Sequence, residues 1–299
     1  MDSTSAHPWA GQQLLLPSIR AGTSDLFLVS LDTGNACNLT LNQAENRFPA
    51  WSPDGKSVVF SSTLDGSLNL FTIAANGKDL RQLTHERAPT VCFLPTWSSD
   101  GRIAFGRDRG TDGVEIVVMN ADGSEPTLVG QGTDPCLSPD GSAIAFTQKG
   151  VNGYCVCTMA SDGANPCQIT TQKNQIGAVV PTWSPDGSLL LYSAQVENGL
   201  EVFVCDARTG TSKQLTQLGK ISTSPAWSPD GNWISFRVTD TPFWQDPITR
   251  QEALRHRDTL RPVYLMRADG TDLDVISSLR YQCAPDGSRA AWRPRTVQP

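Results

Sequence analysis

The pentapeptide Trp-Ser-Pro-Asp-Gly at Trp51–Gly55 decides the fold of this chain, because close copies of it return along most of its length. First positions of successive copies lie roughly 40 to 56 residues apart, a period typical of propellers and solenoids. The copies WSSDG, LSPDG, WSPDG, WSPDG, CAPDG and a degenerate WAG occupy Trp97–Gly101, Leu137–Gly141, Trp183–Gly187, Trp227–Gly231, Cys283–Gly287 and Trp9–Gly11. The repeat predicts one body built of similar units.

The Ser-Pro-Asp-Gly part of the repeat is typical of a tight turn. Pro presets φ, Ser and Asp can bond nearby backbone amides, and Gly accepts a positive φ. Around the turn lie β-rich runs, such as VVFSS after Lys56 and LNLFTI before the Asn-Gly turn at Gly77, and then a short run such as RQLT from Arg81. Each unit is therefore predicted to hold four antiparallel strands, a to d, which is the composition of a propeller blade.

Counting the c-strands predicts an all-β, six-bladed propeller that forms a single domain over residues 1–299, with a seven-bladed ring as the alternative. The two ends of the chain are expected to share the closing blade, with the N-terminal segment supplying strands c and d. Two segments, Gln12–Leu16 and Arg289–Trp292, are both predicted as b-strands, and Pro17 is predicted to end the first of them.

The combination of P-x-WSPDG, an aliphatic-Phe strand, a DG turn and Q-L-T resembles the TolB-type propeller repeat, the Pro-Asp relative of the WD repeat, over roughly residues 25–292. The resemblance implies a propeller that acts as a binding module. It carries over no catalytic residue, because the matching positions are structural. The sequence shows no counterpart of the N-terminal α/β domain of TolB, so TolB's own partners are not implied.

Composition narrows the partners. A net charge of −6 and a pI near 5.1 argue against nucleic acid and anionic membrane surfaces. No apolar run is long enough to span a membrane. Because the N-terminus lacks a charged region followed by an apolar one, no signal peptide is expected, and the predicted location is the cytoplasm, with the periplasm as the alternative if a leader has been removed. A monomer without a cofactor is expected.

Binding residues are expected on the face that carries the b–c and d–a loops, where the repeat varies most. The candidates outside the insertion described next are Arg47, His85, Glu86, Arg87, Arg107, Asp108, Arg109, Arg237 and Arg280. Each of these charges could equally be an ordinary solvated loop residue, since charged side chains are mostly exposed.

An insertion at about residues 239–260 of the sixth unit is the largest departure from the repeat. Asp246 followed by Pro247 is typical of a helix start. Trp244 stands before this predicted helix, and His256 and Arg257 follow, so the insertion could form a lid or wall of a binding site. The other reading is that its aromatic residues only pack the insertion onto the ring.

These features favour a non-enzymatic binding or scaffold protein that engages a protein or a small ligand at the mouth of the central channel. The alternative is a propeller enzyme, a lyase or hydrolase, that acts on a saccharide or peptide at the same mouth. Some lyases that act on acidic sugars resemble this repeat family and use His and Arg at the channel mouth, and this resemblance implies His85, Arg107, Arg237 and His256 as candidates. The sequence contains no G-x-S-x-G motif and no paired histidines at metal-ligand spacing.

The eight cysteines include no C-x-x-C pair, so no metal is predicted. Burial in the core explains most of them, because free cysteine behaves as a small apolar residue. A thiol site in the fourth unit is the alternative, since Cys155, Cys157 and Cys167 lie on adjoining predicted strands and the first two share a face.

Overall fold

The computed structural model describes residues 11–20, 23–110, 113–151, 153–170, 176–239, 262–276 and 290–294. Within these ranges all regular secondary structure is β-strand. No helix that could cross a membrane is found in this part of the chain. The strands are β1 (Gln13–Arg20), β2 (Thr23–Ser30), β3 (Ala36–Asn38), β4 (Asn46–Trp51), β5 (Ser57–Ser62), β6 (Asn69–Ala74), β7 (Arg81–Gln82), β8 (Val91–Trp97), β9 (Arg102–Asp108), β10 (Val114–Asn120), β11 (Thr127–Gln131), β12 (Thr133–Leu137), β13 (Ala143–Gly150), β14 (Gly153–Ala160), β15 (Cys167–Gln168), β16 (Ile176–Trp183), β17 (Leu189–Val196), β18 (Gly199–Asp206), β19 (Ser212–Gln214), β20 (Ile221–Trp227), β21 (Trp233–Thr239), β22 (Val263–Arg267), β23 (Asp274–Val275) and β24 (Ala291–Trp292).

The described strands pair into six four-stranded antiparallel units, which fits the prediction of six blades. Unit 1 has the strand order β24-β1-β2-β3, and units 2 to 6 are β4–β7, β8–β11, β12–β15, β16–β19 and β20–β23. One parallel pair, Leu200 with Ile221, joins units 5 and 6. In this order the strands of every unit occupy the places a, b, c and d.

The six a-strands contact one another in a closed ring, in the order β24, β4, β8, β12, β16, β20 and back to β24. Six clusters of buried apolar side chains lie between neighbouring units. One of them joins Leu14 and Leu16 of unit 1 to Trp233 and Leu265 of unit 6. Each unit therefore buries both faces of its sheet against its neighbours, as a propeller requires.

Each a-strand of units 2 to 6 contains a bulge three residues before its last residue. The residues there have a positive φ near 55°, and a proline follows each of them; they are Phe48, Leu94, Asp134, Val180 and Ser224. The pairing register of each a-strand with its b-strand shifts at the same place. The bulge explains the proline that precedes the repeated pentapeptide, because proline is tolerated at bulges and removes a donor that no ladder needs there.

The closing unit corrects the predicted assignment of strands. The N-terminal segment supplies b, c and d rather than c and d alone, and the C-terminal segment supplies the a-strand rather than a second b-strand. Nor does Pro17 end the first strand. Pro17 lies opposite Leu26 in the sheet. The Leu26 N–H donates to Thr40 Oγ1, and the Leu26 C=O accepts the Leu39 N–H. Leu26 therefore needs no backbone N–H from residue 17, and proline is tolerated there.

The pentapeptide copy of the closing unit is divided between the two ends of the chain. Trp292 pairs with Leu14 as Trp51 pairs with Val58, so Trp292-Arg293-Pro294 takes the place of Trp-Ser-Pro. Gly11, with φ of 75°, stands at the position of the turn glycine Gly55. The predicted copy at Cys283–Gly287 lies outside the described residues, and the structural copy comes nine residues after Cys283, at Trp292.

Tryptophans at the ends of three a-strands fasten units 2, 5 and 1 to the unit before each of them. The indole Nε1 of Trp51 donates to the Ala291 carbonyl at 3.2 Å, and that of Trp183 donates to the Cys136 carbonyl at 3.0 Å. Trp292 does the same to Ala226 at 3.3 Å and also donates to Ser235 Oγ at 2.9 Å. This bond explains why the motif uses Trp, whose ring buries a large apolar surface and whose N–H needs a partner.

Candidate functional site

The propeller has two different faces, which the antiparallel order of the strands separates. The turn face carries the a–b turns, such as Ser184–Gly187, and the c–d turns. The loop face carries the b–c hairpins and the d–a connections. On the turn face Ser184 Oγ and the Ser188 N–H both donate to Asp186 Oδ1, at 2.6 and 3.0 Å, and equivalent bonds recur in units 2, 4 and 6. The serine and aspartate side chains that recur in these turns are therefore engaged in hydrogen bonds within the turns themselves.

The Q-L-T part of the repeat holds the loop face together. Thr84 Oγ1 accepts the Leu70 N–H at 2.8 Å and donates to Asn69 Oδ1 at 2.9 Å. In unit 1 the same threonine hydroxyl donates to Asp25, and in unit 5 to Glu201. A hydrogen-bond acceptor on strand c and a threonine after strand d thus lock the outer edge of these units.

Unit 3 has no such threonine and closes its edge with an ion-pair network. Its acceptor on strand c is Glu115, which accepts hydrogen bonds from Arg107 Nε at 2.6 Å and from Arg109 Nε at 3.1 Å. Arg107 Nη1 also reaches Glu86 Oε1 of the preceding connection at 3.3 Å. The side chains of Arg107 and Glu115 are 15% and 19% exposed, so this pair is shielded from much of the screening that weakens surface pairs.

The network sets the ionisation of Glu115. Partial burial acts to raise the pKa of this carboxyl, but hydrogen bonds and charge from Arg107 and Arg109 outweigh it and leave the pKa lowered. Sequence reasoning selected both arginines and Glu86 but missed Glu115, because one acidic residue in an alternating strand looks like any solvent-facing position. The missing Q-L-T threonine of unit 3 was the signal that could have found it.

Next to this network an open depression of about 480 Å³ lies on the loop face of unit 2. It is lined by Asp65, Gly66, Ser67, Gln82, His85, Glu86, Arg87 and Ala88. Its wall is fixed by Asn69, which is fully buried and bonds Asp65 Oδ2, the Glu86 carbonyl and the Glu86 N–H, each at 2.9 Å. His85 and Arg87 stand exposed on this wall. The structure therefore brings together three of the predicted residues, His85, Glu86 and Arg87.

Arg47, Asp108 and Arg237, three further predicted residues within the described part of the chain, do not line the depression. Asp108, at the end of β9, accepts the Gly110 N–H at 2.8 Å and so shapes the b–c hairpin of unit 3. Arg47 lies on the a-strand of unit 2, where it pairs with Glu45 at 3.1 Å. Phe48 beside it lies 6.4 Å from Phe93 of unit 3, measured between ring centroids.

Arg237 belongs to unit 6 and is 2% exposed. It lies on strand b opposite Thr223, and the residues at the same place in units 2 to 5 are small: Ser61, Gly106, Thr147 and Ser193. Unit 6 therefore carries a large cation where the other units carry a small residue. It is a property of that unit, separate from the depression.

Four predicted site residues, Trp244, His256, Arg257 and Arg280, lie outside the described residues, as does nearly all of the predicted insertion with its helix. The prediction of a lid there stays untested. Among the described side chains, no group of three or more histidine, cysteine or acidic residues is placed to hold a metal ion.

A ring of six four-stranded units, joined by apolar clusters and closed by a unit that takes strands from both the N-terminal and the C-terminal segment, defines a β-propeller. The family model described as the TolB beta propeller domain matches residues 3–179. The chain belongs to the TolB β-propeller domain family.

Known proteins agree with this assignment. The Tol-Pal system protein TolB of Francisella tularensis subsp. mediasiatica is 27% identical over 236 residues, which are 75% of this chain and 53% of that protein. The chain thus spans about half the length of the curated relatives it matches.

Solved structures resemble the chain at lower identity. TolB from Acinetobacter baumannii has a TM-score of 0.74 at 17% identity, over 97% of this chain and 68% of that one. An oligogalacturonate lyase from Vibrio parahaemolyticus has a TM-score of 0.61 at 14% identity, over 89% and 74% of the two chains. At these identities the likeness shows the fold alone.

Proposed function

We propose that this propeller is a non-enzymatic binding module that engages a protein partner through its loop face. The observation that carries the proposal is the difference between the two faces. The turn face has a depression of similar volume, but the aspartates that line it, Asp140 and Asp186, bond their own turns. The depression on the loop face of unit 2 has fixed walls and presents His85 and Arg87 as exposed side chains. Exposed groups on a rigid scaffold favour recognition, since little ordering entropy opposes binding.

The family supports a protein as the partner. The curated relatives are named as proteins of the Tol-Pal system, so the first partners to test are the other Tol-Pal proteins of the source organism. An open, polar depression suits the loop or chain end of a protein, whereas most small-molecule sites are concave and largely apolar. Arg87 and His85 would favour acidic groups on that partner.

The test is a titration of the purified chain with each of those proteins, followed by calorimetry. Arg87→Glu is expected to weaken binding at least about tenfold, which corresponds to about 1.4 kcal/mol. Lys56→Glu, the same charge reversal on the turn face at a side chain 77% exposed, is the matched control and is expected to bind as the unchanged chain does.

Two results would contradict the proposal. One is the absence of binding to every Tol-Pal protein tested. The other is an equal loss from Arg87→Glu and Lys56→Glu, which would assign the effect to net charge rather than to the loop face.

For the alternative that the chain is an enzyme, the structural resemblance to oligogalacturonate lyase supports only a shared fold. Of its three candidates that the structure describes, Arg107 is held in the ion-pair network, Arg237 is buried in unit 6, and His85 is exposed in the depression. A lyase or hydrolase acting on a saccharide or peptide would turn over acidic oligosaccharides or peptides with the unchanged chain and lose that activity in His85→Ala. Such turnover would replace the binding proposal.

The remaining parts of the proposal concern context. The comparisons do not support the predicted cytoplasmic location, and relatives named for the Tol-Pal system favour the periplasmic alternative. A single propeller domain acting as a monomer fits a ring in which each unit packs between two others. Light scattering and cell fractionation would test the two statements.

A further inference from the structure

Two cysteine thiols lie side by side under the loop face of unit 4. Cys155 and Cys157 are alternate residues of β14, so their side chains share one face of the sheet. Their Sγ atoms are 3.8 Å apart, and both residues are buried. Two sulfurs that each lie about 2.3 Å from one tetrahedral ion are themselves about 3.8 Å apart. The pair therefore already has the spacing of two ligands of a single metal ion.

A third sulfur belongs to the same cluster. Met159 is the next residue on that face of β14 and is buried together with both cysteines. Its Sδ lies 3.2 Å from the place that a Cβ on Gly130 would occupy, so the glycine of the neighbouring unit leaves room for the thioether. Thiolate and thioether sulfurs are the donors that soft ions such as Cu(I) prefer.

Cys155 occupies the acceptor position of the repeat but does not accept in the metal-free chain. By register it corresponds to Asp25, Asn69 and Glu201, each of which accepts a hydrogen bond from the threonine that follows strand d. In unit 4 that threonine is Thr170, whose Oγ1 accepts the Val156 N–H at 2.9 Å. The thiols of Cys155 and Cys157 instead donate to the Gln148 carbonyl and to Gln148 Oε1, at 3.4 and 3.6 Å, and these two contacts are given up when a metal ion replaces the thiol protons.

We propose that Cys155, Cys157 and Met159 form a binding site for a soft monovalent metal ion of the Cu(I) class. The ion would enter from the adjacent b–c hairpin, where Val151 is fully exposed and Tyr154 is half exposed. The site belongs to unit 4 and shares no residue with the depression of unit 2. It holds whether or not the proposed protein partner is correct.

Binding is coupled to protons, because the thiolate and not the thiol ligates a metal. Both thiol protons pass to water when the ion binds. Protons therefore compete with the metal for the two sulfurs, and the apparent affinity falls as the pH is lowered.

The experiment is a competition between the reduced, oxygen-free full chain and a coloured Cu(I) chelator. One ion per chain is expected, retained through gel filtration. Cys155→Ser and Cys157→Ser are each expected to lower the affinity at least about 100-fold, and Met159→Leu about tenfold. Cys205→Ala, which removes a single buried thiol in unit 5, is the matched control and is expected to change nothing.

Three results would overturn the site. The first is retention of the ion by a chain carrying both Cys155→Ser and Cys157→Ser. The second is loss of metal binding in Cys167→Ser, because Cys167 is exposed and this result would assign the ion to a surface site. The third is an X-ray absorption spectrum of the copper-loaded, unchanged chain that shows nitrogen or oxygen neighbours in place of sulfur, and this measurement holds even if a variant fails to fold.

Discussion

Two glycines with nearly the same φ differ in whether a side chain would fit, because a carbonyl oxygen lies close to one of them. Gly163, in the c–d turn of unit 4, has φ of 90°, and a Cβ there would lie 2.1 Å from the Val129 carbonyl oxygen of unit 3. Gly66, in a b–c hairpin, has φ of 91° and nothing within 4 Å of its Cβ position. The two positions share the same backbone conformation and differ only in the neighbouring atom.

Gly163→Ala is therefore expected to destabilise the fold by about 3 kcal/mol or more, and Gly66→Ala by about 1 kcal/mol, the cost of the left-handed backbone alone. Urea unfolding of both variants measures the difference. Equal losses would mean that the contact between units 3 and 4 yields without cost.

Aspartates of the a–b turns make stability depend on pH. Hydrogen bonds from the preceding serine hydroxyl and from the backbone N–H two residues on lower the pKa of Asp54, Asp140 and Asp186. A carboxyl whose pKa is lower in the folded than in the unfolded chain stabilises the fold above the unfolded value of about 3.9, and that contribution is lost as the pH falls through the folded value.

The melting temperature is accordingly expected to hold between pH 7 and 5 as far as these groups are concerned, and to fall below about pH 4. Asp186→Asn should lose part of this acid sensitivity, while Asp162→Asn, on a c–d turn of the same face, serves as a comparison. Parallel melting curves for the unchanged chain and Asp186→Asn across this range would contradict the role of the turn.

Sequence reasoning at this scale found residue types more easily than relations between residues. The turn signature predicted positive φ at its glycines, and all five intact turns of units 2 to 6 have it. The network of Arg107 could not be predicted, because Glu86 and Glu115 come together only through the register of β9 with β10 and the path of the preceding connection. The sulfur pair was foreseen as a shared face, since alternation along one strand needs no tertiary contact.

Trp292 at the end of β24 and Arg293, the next residue, hold the ring closed. Trp292 is 6% exposed and bonds both Ser235 Oγ and the Ala226 carbonyl of unit 6. Arg293 beside it bonds the Gln13 side chain at 2.8 Å and lies 5.1 Å from the Trp51 ring centroid of unit 2. Units 6, 1 and 2 therefore meet at this short strand.

Trp292→Ala is expected to cost about 3 to 5 kcal/mol through lost packing. Trp292→Phe keeps most of the apolar contact but removes the N–H donor, and is expected to cost about 1 to 3 kcal/mol because Ser235 Oγ and the Ala226 carbonyl both lose that donor. Denaturant unfolding separates the two terms. A Phe variant as unstable as the Ala variant would show that the hydrogen bond, rather than packing, closes the ring.

At the scale of elements, the period of the repeat predicted nearly every strand, and the errors gather at the closing unit. There the Ser and Asp of the pentapeptide are replaced by arginines, in Trp292-Arg293-Pro294-Arg295, so the copy was not recognised. The better match at Cys283–Gly287 drew the assignment away from it. Local resemblance cannot identify a copy whose turn is completed by a glycine from the other end of the chain.

The whole molecule offers a test of that divided turn. One residue, at the place of the motif's Asp, would join Pro294 to Gly11 and recreate Trp-x-Pro-Asp-Gly. A circular permutant joined in this way and opened at the exposed hairpin beside Val151 is expected to fold, with a free energy of unfolding within about 2 kcal/mol of the original. Circular dichroism and urea unfolding measure it.

Its control is a permutant with the same joint, opened between Leu190 and Leu191, both fully buried in β17. This second chain is expected not to fold, because the break falls inside two apolar clusters. Failure of the hairpin permutant as well would show that the joint does not recreate the turn.

The division of unit 1 between the ends of the chain also orders events during synthesis. A ribosome delivers β1, β2 and β3 before the five other units and β24 after them, so Leu14 and Leu16 stay uncovered until the sixth unit and Trp292 have been synthesised. Until then the growing ring is an open arc with an exposed apolar edge. Chaperones bind surfaces of this kind, and two nascent chains can misassemble through them.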